Sequence, residues 1–196
     1  LTKAVPDQVG AVWTYGKRNI AAGFTAVFGF SILNQGGDDD FQEAPGGEGV
    51  ALVIQNQDSV AIGAGGSGLG YTNITRSLAI EFDTWASATA GDSNNNHVSV
   101  HTRGLLGNSS NHAFSLASGT PSFDMSSGLT QDIDVIYVPG RLQVFVSGFP
   151  VIDLAIDLAK LGGGNLLDSR GRAWVGLTSS TGTAFEDHRI PFYLFP

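Results

Sequence analysis

The sequence contains no cysteine, which removes disulfide bridges and thiolate metal sites from consideration. The compartment stays open, because a secreted domain of this length can be stable without bridges. Basic residues are scarce: 10 Lys and Arg against 18 Asp and Glu leave a net charge of −8, with no Lys/Arg stripe. That argues against nucleic acid as a partner, since binding it depends on neutralising phosphates. No run approaches the roughly 18 apolar residues of a membrane span, so membrane insertion is not expected. The chain begins at Leu1 rather than Met and carries no leader-like segment, a pattern expected of a processed protein or an excised domain. Internal repeats and domain linkers are also missing.

What is present fits one strand-rich domain. The 196 residues are enough to bury a substantial core. Hydrophobic residues make up 42% and charged residues 14%, which sets the chain apart from disordered sequences. Its 27 glycines follow no three-residue period and read as tight turns.

Period-two patterns dominate. Phe24, Ala26, Phe28, Phe30 and Ile32 occupy every second position and mark one face of a strand. Val50 to Ile54 is a short apolar run, as in a strand covered on both faces. Leu78, Ile80 and Phe82 alternate with Ala79, Glu81 and Asp83. Further strands are expected at residues 98–102, 173–179 and 190–195, and a hairpin at 132–138 and 141–147 around Pro139-Gly140. Residues 154–161 are the one candidate helix. The expected architecture is an all-β antiparallel sandwich. Two loops attract attention without carrying chemistry: Asp38, Asp39 and Asp40 read as a solvated turn, and residues 63–70 lack the Lys of a phosphate loop.

The chemistry lies between Glu81 and His97. Glu81 and Asp83 are two apart on a strand, so both carboxylates project from one face while Phe82 enters the core. A loop carrying Asp92 follows, and the chain returns at His97. Three carboxylates gathered together repel one another, and a divalent cation resolves the conflict. Oxygen donors suit Ca²⁺, and a set including one imidazole suits Mn²⁺ or a similar metal. The competing reading is a polar loop with an incidental histidine and two acids facing water.

Glu81-Phe82-Asp83-Thr84-Trp85 followed by Asp92 and His97 resembles the metal-binding segment of the legume-type (L-type) lectins, whose fold is a concanavalin A-like jelly roll. The likeness extends along the chain. Gly47-Glu48-Gly49-Val50-Ala51 resembles the family's Asp-Gly strand motif, and Gly65-Gly66-Ser67-Gly68-Leu69-Gly70 its glycine-rich sugar loop. Trp174-Val175-Gly176-Leu177-Thr178 through Glu186-Asp187-His188 resembles its last specificity loop and the strand after it. Ala11-Val12-Trp13 and Gly23-Phe24 fit as well. The family's usual first strand has no counterpart, so the expectation is a single domain over residues 1–196 that starts after that strand.

The resemblance implies roles. Glu81, Asp83, Asp92 and His97 match transition-metal ligands, and Asp83 and Asp92 also match the carboxylates that bridge to Ca²⁺. Trp85 matches the aromatic whose carbonyl binds Ca²⁺ and whose ring packs on a sugar. Glu48, Ser67, Thr183 and Ala184 match sugar contacts, the last three through their backbone. Two positions depart from the family. Ser87 stands where an Asn ligates Ca²⁺ and donates to sugar, and a hydroxyl is a shorter ligand. Glu48 stands where the family has Asp. Asn94, Asn95 and Asn96 are the neighbours able to replace the missing amide, although turn residues are their simpler reading. His101, His112 and His188 have no spacing that recommends them.

The expected function is metal-dependent, non-catalytic glycan binding with Ca²⁺ and Mn²⁺ or another transition metal. Extracellular, secretory-pathway or cell-surface placement goes with it, and the sequons at Asn73 and Asn108 are consistent with that. A homo-oligomer would supply avidity. One alternative is an adhesive domain that kept the fold and lost sugar binding, favoured by Ser87 and Glu48. The other is a glycoside hydrolase. β-Glucanases of this architecture carry Glu-x-Asp-x-Glu, because retention needs two carboxyls roughly 5–5.5 Å apart. Here the last position is Trp85, so an enzyme is not expected.

Overall fold

The computed structural model describes residues 1–195. Twelve strands are joined by turns: β1 Val9–Trp13, β2 Arg18–Asn19, β3 Phe24–Gly36, β4 Gly49–Gln55, β5 Ser77–Asp83, β6 His97–Thr102, β7 Ser115–Gly119, β8 Gln131–Val138, β9 Gly140–Val146, β10 Phe149–Ile156, β11 Arg172–Ser180 and β12 Phe185–Leu194. One sheet runs β1-β11-β4-β5-β6-β7, with β2 also on β11, and the other runs β10-β9-β8-β3-β12. Every pairing is antiparallel.

The alternation of β3 puts Phe24, Ala26, Phe28, Phe30 and Ile32 into the space between the sheets. They meet Val50, Leu52 and Ile54 of β4 and Leu78, Ile80 and Phe82 of β5. Phe82 stands edge-on to Phe28, ring centroids 5.6 Å apart. Burying one such ring contributes about 1.5–3 kcal/mol.

The other face of β4 and β5 is covered too. Ala51, Val53 and Ala79 pack against Ala61, Leu69, Tyr71 and Ile74, which come from the long connection between these strands. This third layer explains why both strands are buried at every position. It also closes over the face that carries Glu81 and Asp83.

The Pro139-Gly140 hairpin forms as expected, with Gly140 at φ 99° where a side chain would be strained. The expected helix at 154–161 does not. Leu154, Leu158 and Leu161 have helical spacing, but Ile152, Leu154 and Ile156 have strand spacing, and pairing with β9 holds the chain extended to Ile156. A single helical turn, Leu161–Gly164, follows, and Gly162 and Gly163 within it take positive φ. β1, β2, β7 and β10 answer to no strand expected from the sequence. No helix among the described residues is long and apolar enough to cross a membrane.

Candidate functional site

The register of β4, β5 and β6 builds the site. Asp83 lies opposite His97, and Glu81 opposite Ser99 on one side and Ala51 on the other. Small neighbours therefore flank Glu81, and Tyr71 covers it. Glu81 is fully buried, yet both its oxygens are satisfied. Oε2 accepts from the Tyr71 hydroxyl at 2.6 Å, and Oε1 accepts from Ser99 Oγ at 2.5 Å and lies 2.8 Å from His101 Nε2. Burial works against its charge, but His101, His97 and Ser99 outweigh burial and hold the carboxyl below the ordinary range. Burial beside the Glu81 charge pushes the Tyr71 phenol up.

Asp83 and Asp92 fold the intervening loop around themselves. Asp83 Oδ1 accepts from the Trp85 amide at 2.7 Å, and Asp92 Oδ2 from the Ser87 amide at 2.7 Å. Burial, reinforced by Glu81 and Asp92, pushes Asp83 well up. Burial also pushes Asp92 up to about 6, against the pull of the Ser87 amide. Asp92 Oδ1 is buried with no hydrogen-bond partner.

His97 closes the cluster. Its Nδ1 lies 2.8 Å from the Asn94 carbonyl, which can only accept, so Nδ1 carries the proton and Nε2 offers a lone pair. Burial opposes the imidazolium, but Glu81 and Asp92 more than compensate and lift its pKa. Donor atoms of Asp83, Asp92 and His97 lie within 4.8 Å of one another, as do those of Glu81, His97 and His112. Converging carboxylates, one of them orphaned, beside a free imidazole nitrogen fit a bound cation.

Ser87, in contrast, is turned to its own loop. Its hydroxyl lies 3.0 Å from Thr89 Oγ1 and receives the Ala90 amide at 3.3 Å. Asn94 and Asn96 act as loop staples: Asn94 Oδ1 accepts the Asn96 amide, and Asn96 binds the Phe123 carbonyl and the Met125 amide.

Glu48 lies beside this loop. Its carbonyl accepts the Thr84 amide at 3.0 Å, and Gly47 packs against the Trp85 ring. Glu48 is 5% exposed, and its carboxylate makes no hydrogen bond among the described residues. Burial, with Glu186 and Asp92 nearby, pushes its carboxyl up to about 8. Two glycines border it: a Cβ on Gly182 would come within 2.9 Å of Glu48 Oε1, and one on Gly66 within 3.9 Å. Ser67 occupies the short turn Gly66–Gly68, whose first glycine borders Glu48. The segment after Gly182 lies beside that turn, with Thr183 exposed and Ala184 buried. The two sets of residues singled out in the sequence thus meet at one end of the larger sheet.

Several residues were missed. His101 lies on the same face of β6 as His97 and Ser99, which the period of two could have revealed. His112 arrives from the short turn His112–Phe114, with Nε2 3.0 Å from His97 Nε2 and 3.5 Å from Asp92 Oδ1. Glu186, fully buried, accepts from Thr84 Oγ1 at 2.6 Å and faces His188 Nε2 at 3.0 Å. The aspartate run is not uniformly solvated. Asp38 and Asp39 are exposed, but Asp40 is buried, and its carboxylate accepts from Gln42, Ala44 and Ala86 amides. Asn108 is also buried, donating to Ser77 and to the His101 carbonyl, so of the two sequons only Asn73 presents its side chain to solvent.

The chain is 28% identical over 185 residues to L-type lectin-domain containing receptor kinase VIII.1 of Arabidopsis thaliana, covering 88% of this chain and 23% of that protein. Kinase VIII.2 of the same plant is 30% identical over 98% of this chain and 27% of its own length. The chain thus spans about a quarter of the curated relatives it matches. Among solved structures, peanut lectin superposes with TM-score 0.71 at 21% identity, covering 99% of this chain and 82% of that one. The Ca²⁺/Man3GlcNAc-bound exoplasmic/lumenal domain of VIP36 gives 0.71 at 19%, covering 97% and 74%. These likenesses support a concanavalin A-like sandwich. The family model of the legume lectin domain matches residues 9–195, and the chain belongs to that family.

Proposed function

We propose that this chain is a metal-dependent, non-catalytic carbohydrate-binding module. The observation that carries this reading is the placement of Glu48. Glu48, a largely buried acid, borders the loop that Asp83 and Asp92 organise, with Trp85 beside it. Ca²⁺ is assigned to Asp83, Asp92, the Trp85 carbonyl and Ser87. A transition metal such as Mn²⁺ is assigned to Glu81, Asp83, Asp92 and His97. Bound cations neutralise the carboxylates and fix the loop, which lowers the ordering cost of holding a weak ligand. Glu48 accepts sugar hydroxyls, Trp85 stacks on an apolar sugar face, and backbone groups of Ser67, Thr183 and Ala184 complete the pocket.

VIP36 is bound to Man3GlcNAc in one structure, and basic winged bean lectin to Tn antigen in another. The partner class proposed here is accordingly a glycan or glycoconjugate met outside the cytoplasm. A homo-oligomer would add avidity across several weak sites. Hydrolysis is disfavoured, because Trp85 stands where a second catalytic carboxyl would be required.

The test is calorimetry on wild type, chelator-stripped protein and Asp83→Ala, with the ligand chosen from a glycan array. Loss of metal and glycan binding together is expected in the stripped and variant proteins. Unchanged glycan affinity in either would overturn the metal dependence. The engagement of the Ser87 hydroxyl within its own loop favours a second reading, an adhesive domain without sugar binding. A blank array from a metal-loaded protein would select it.

A further inference from the structure

We infer that the transition-metal centre of this chain is a two-imidazole site, in which His112 stands beside His97, Glu81 and Asp92 and Asp83 serves the Ca²⁺ site alone, and that it takes Zn²⁺ in preference to Mn²⁺. The inference rests on the metal-platform reading above and concerns one further ligand and the metal it selects.

Four observations carry it. The Nε2 atoms of His97 and His112 face each other at 3.0 Å. The Asn94 carbonyl takes the Nδ1 proton of His97, so in the neutral ring Nε2 is the lone pair that faces His112. A proton donated by His112 would account for that contact alone. It would leave Asp92 Oδ1 buried and unpartnered 3.5 Å from His112 Nε2 and 4.0 Å from His97 Nε2, both beyond a good hydrogen bond. A cation placed there gives Asp92 Oδ1 and both Nε2 atoms a partner at once.

The spacing agrees. Metal–ligand bonds of about 2.0–2.2 Å arranged tetrahedrally put ligand atoms about 3.3–3.6 Å apart. The contacts His97–His112, His112–Asp92, His97–Glu81 and His97–Asp92 measure 3.0, 3.5, 3.8 and 4.0 Å.

The position of His112 is also built. Its amide donates to the Ala90 carbonyl at 2.9 Å. The preceding Asn111 caps the turn by accepting the Ala113 amide and donates to the Thr89 carbonyl. The turn is thereby laced to the loop that carries Asp92. His101 plays a different part: it binds Glu81 Oε1 and Ser99, which orients the carboxylate from behind. Two neutral imidazoles with two carboxylates make a donor set suited to Zn²⁺, whereas an oxygen-dominated set suits Mn²⁺.

The experiment uses the full chain, stripped by chelator and resaturated with Ca²⁺. Zn²⁺ and Mn²⁺ are titrated separately by calorimetry, and Zn²⁺ also by NMR with ¹⁵N-labelled histidine. In wild type, the Nε2 resonances of both His97 and His112 should move with Zn²⁺. His112→Ala should weaken Zn²⁺ by at least about 10–100-fold and change Mn²⁺ by less than about threefold. His112→Gln, which keeps bulk and polarity, should match the alanine variant, and circular dichroism of the stripped proteins checks the fold. If only His97 moves and both variants hold Zn²⁺ like wild type, the inference is overturned while the metal platform stands. If wild type binds neither ion, both fail.

Discussion

The hydroxyl of Thr84 donates to Glu186 Oε1 across 2.6 Å, joining the strand that carries Glu81 and Asp83 to the last strand of the chain. Both partners are buried, and the same carboxylate oxygen faces His188 Nε2, which receives the Gly49 amide. The metal loop and the Glu48 segment are therefore held against β12 by one polar cluster. Thr84→Val keeps the shape and removes the donor. Because a hydrogen bond to a charged group contributes about 1.5–3 kcal/mol, the variant should lose stability of that order in denaturant unfolding. A variant as stable as wild type would show that the link carries no energy.

Glu48→Gln keeps the volume at this position and removes the charge that the carboxyl carries above its raised value of about 8, so both proteins are compared at about pH 9. Glycan affinity should fall by about tenfold or more, matching the loss of one good charge-assisted hydrogen bond. Metal stoichiometry by elemental analysis should not change, since Glu48 is outside the ligand set. Loss of metal in this variant would place Glu48 in the metal cluster instead.

Asp40 fastens its loop to the metal loop through the Ala86 amide at 3.1 Å. Asp40→Asn offers an NH₂ where an acceptor is needed at one of its three contacts. It should weaken glycan binding by about tenfold, the worth of one such contact. Metal affinity measured in the same preparation should stay within a few-fold. Equal glycan affinity would reduce Asp40 to a staple of its own turn.

The metal-free protein should lose thermal stability as pH rises from about 5 to about 8.5. Glu48 is raised from 4.5 to about 8, chiefly by burial, and Asp92 from 3.8 to about 6. A carboxyl with a raised folded-state pKa adds stability below its unfolded pKa and loses it as pH climbs through the folded value. His97, also raised, acts in the same direction, while His112, lowered by burial and by His97, opposes it. Bound cations require the ionised carboxylates, so metal-loaded protein should gain relative to metal-free protein toward high pH. Melting scans with and without chelator check the divergence. Parallel curves would mean that Asp92 does not meet the metal.

Much of this was readable in the residues. The apolar residues Phe24 to Ile32 of β3 and Leu78, Ile80 and Phe82 of β5 recur at period two, so their place between the sheets follows from the sequence, whereas the burial of the other face of β5 depends on the layer from residues 61–74. Glu81, Asp83, Asp92 and His97 lie close in sequence, and local geometry brings them together. The segment after Phe149 deceived because leucines at helical spacing overlap isoleucines at strand spacing, and only the partner strand decides between them. Asp40 is indistinguishable in sequence from Asp38 and Asp39, and the fold of its loop selects which one is buried. His112 gave no local signal at all, since its contact with His97 depends on how the chain returns after β6.

The order of the site along the chain has a consequence for synthesis. Every proposed metal ligand lies between Glu81 and His112, whereas the pocket around Glu48 needs Gly182 and Glu186 from the far end. A chain emerging from the ribosome N-terminus first exposes the whole ligand set well before β11 and β12 arrive. Under the proposed assignment, the metal ligand set is complete in the growing chain before the last residues of the sugar pocket have been made.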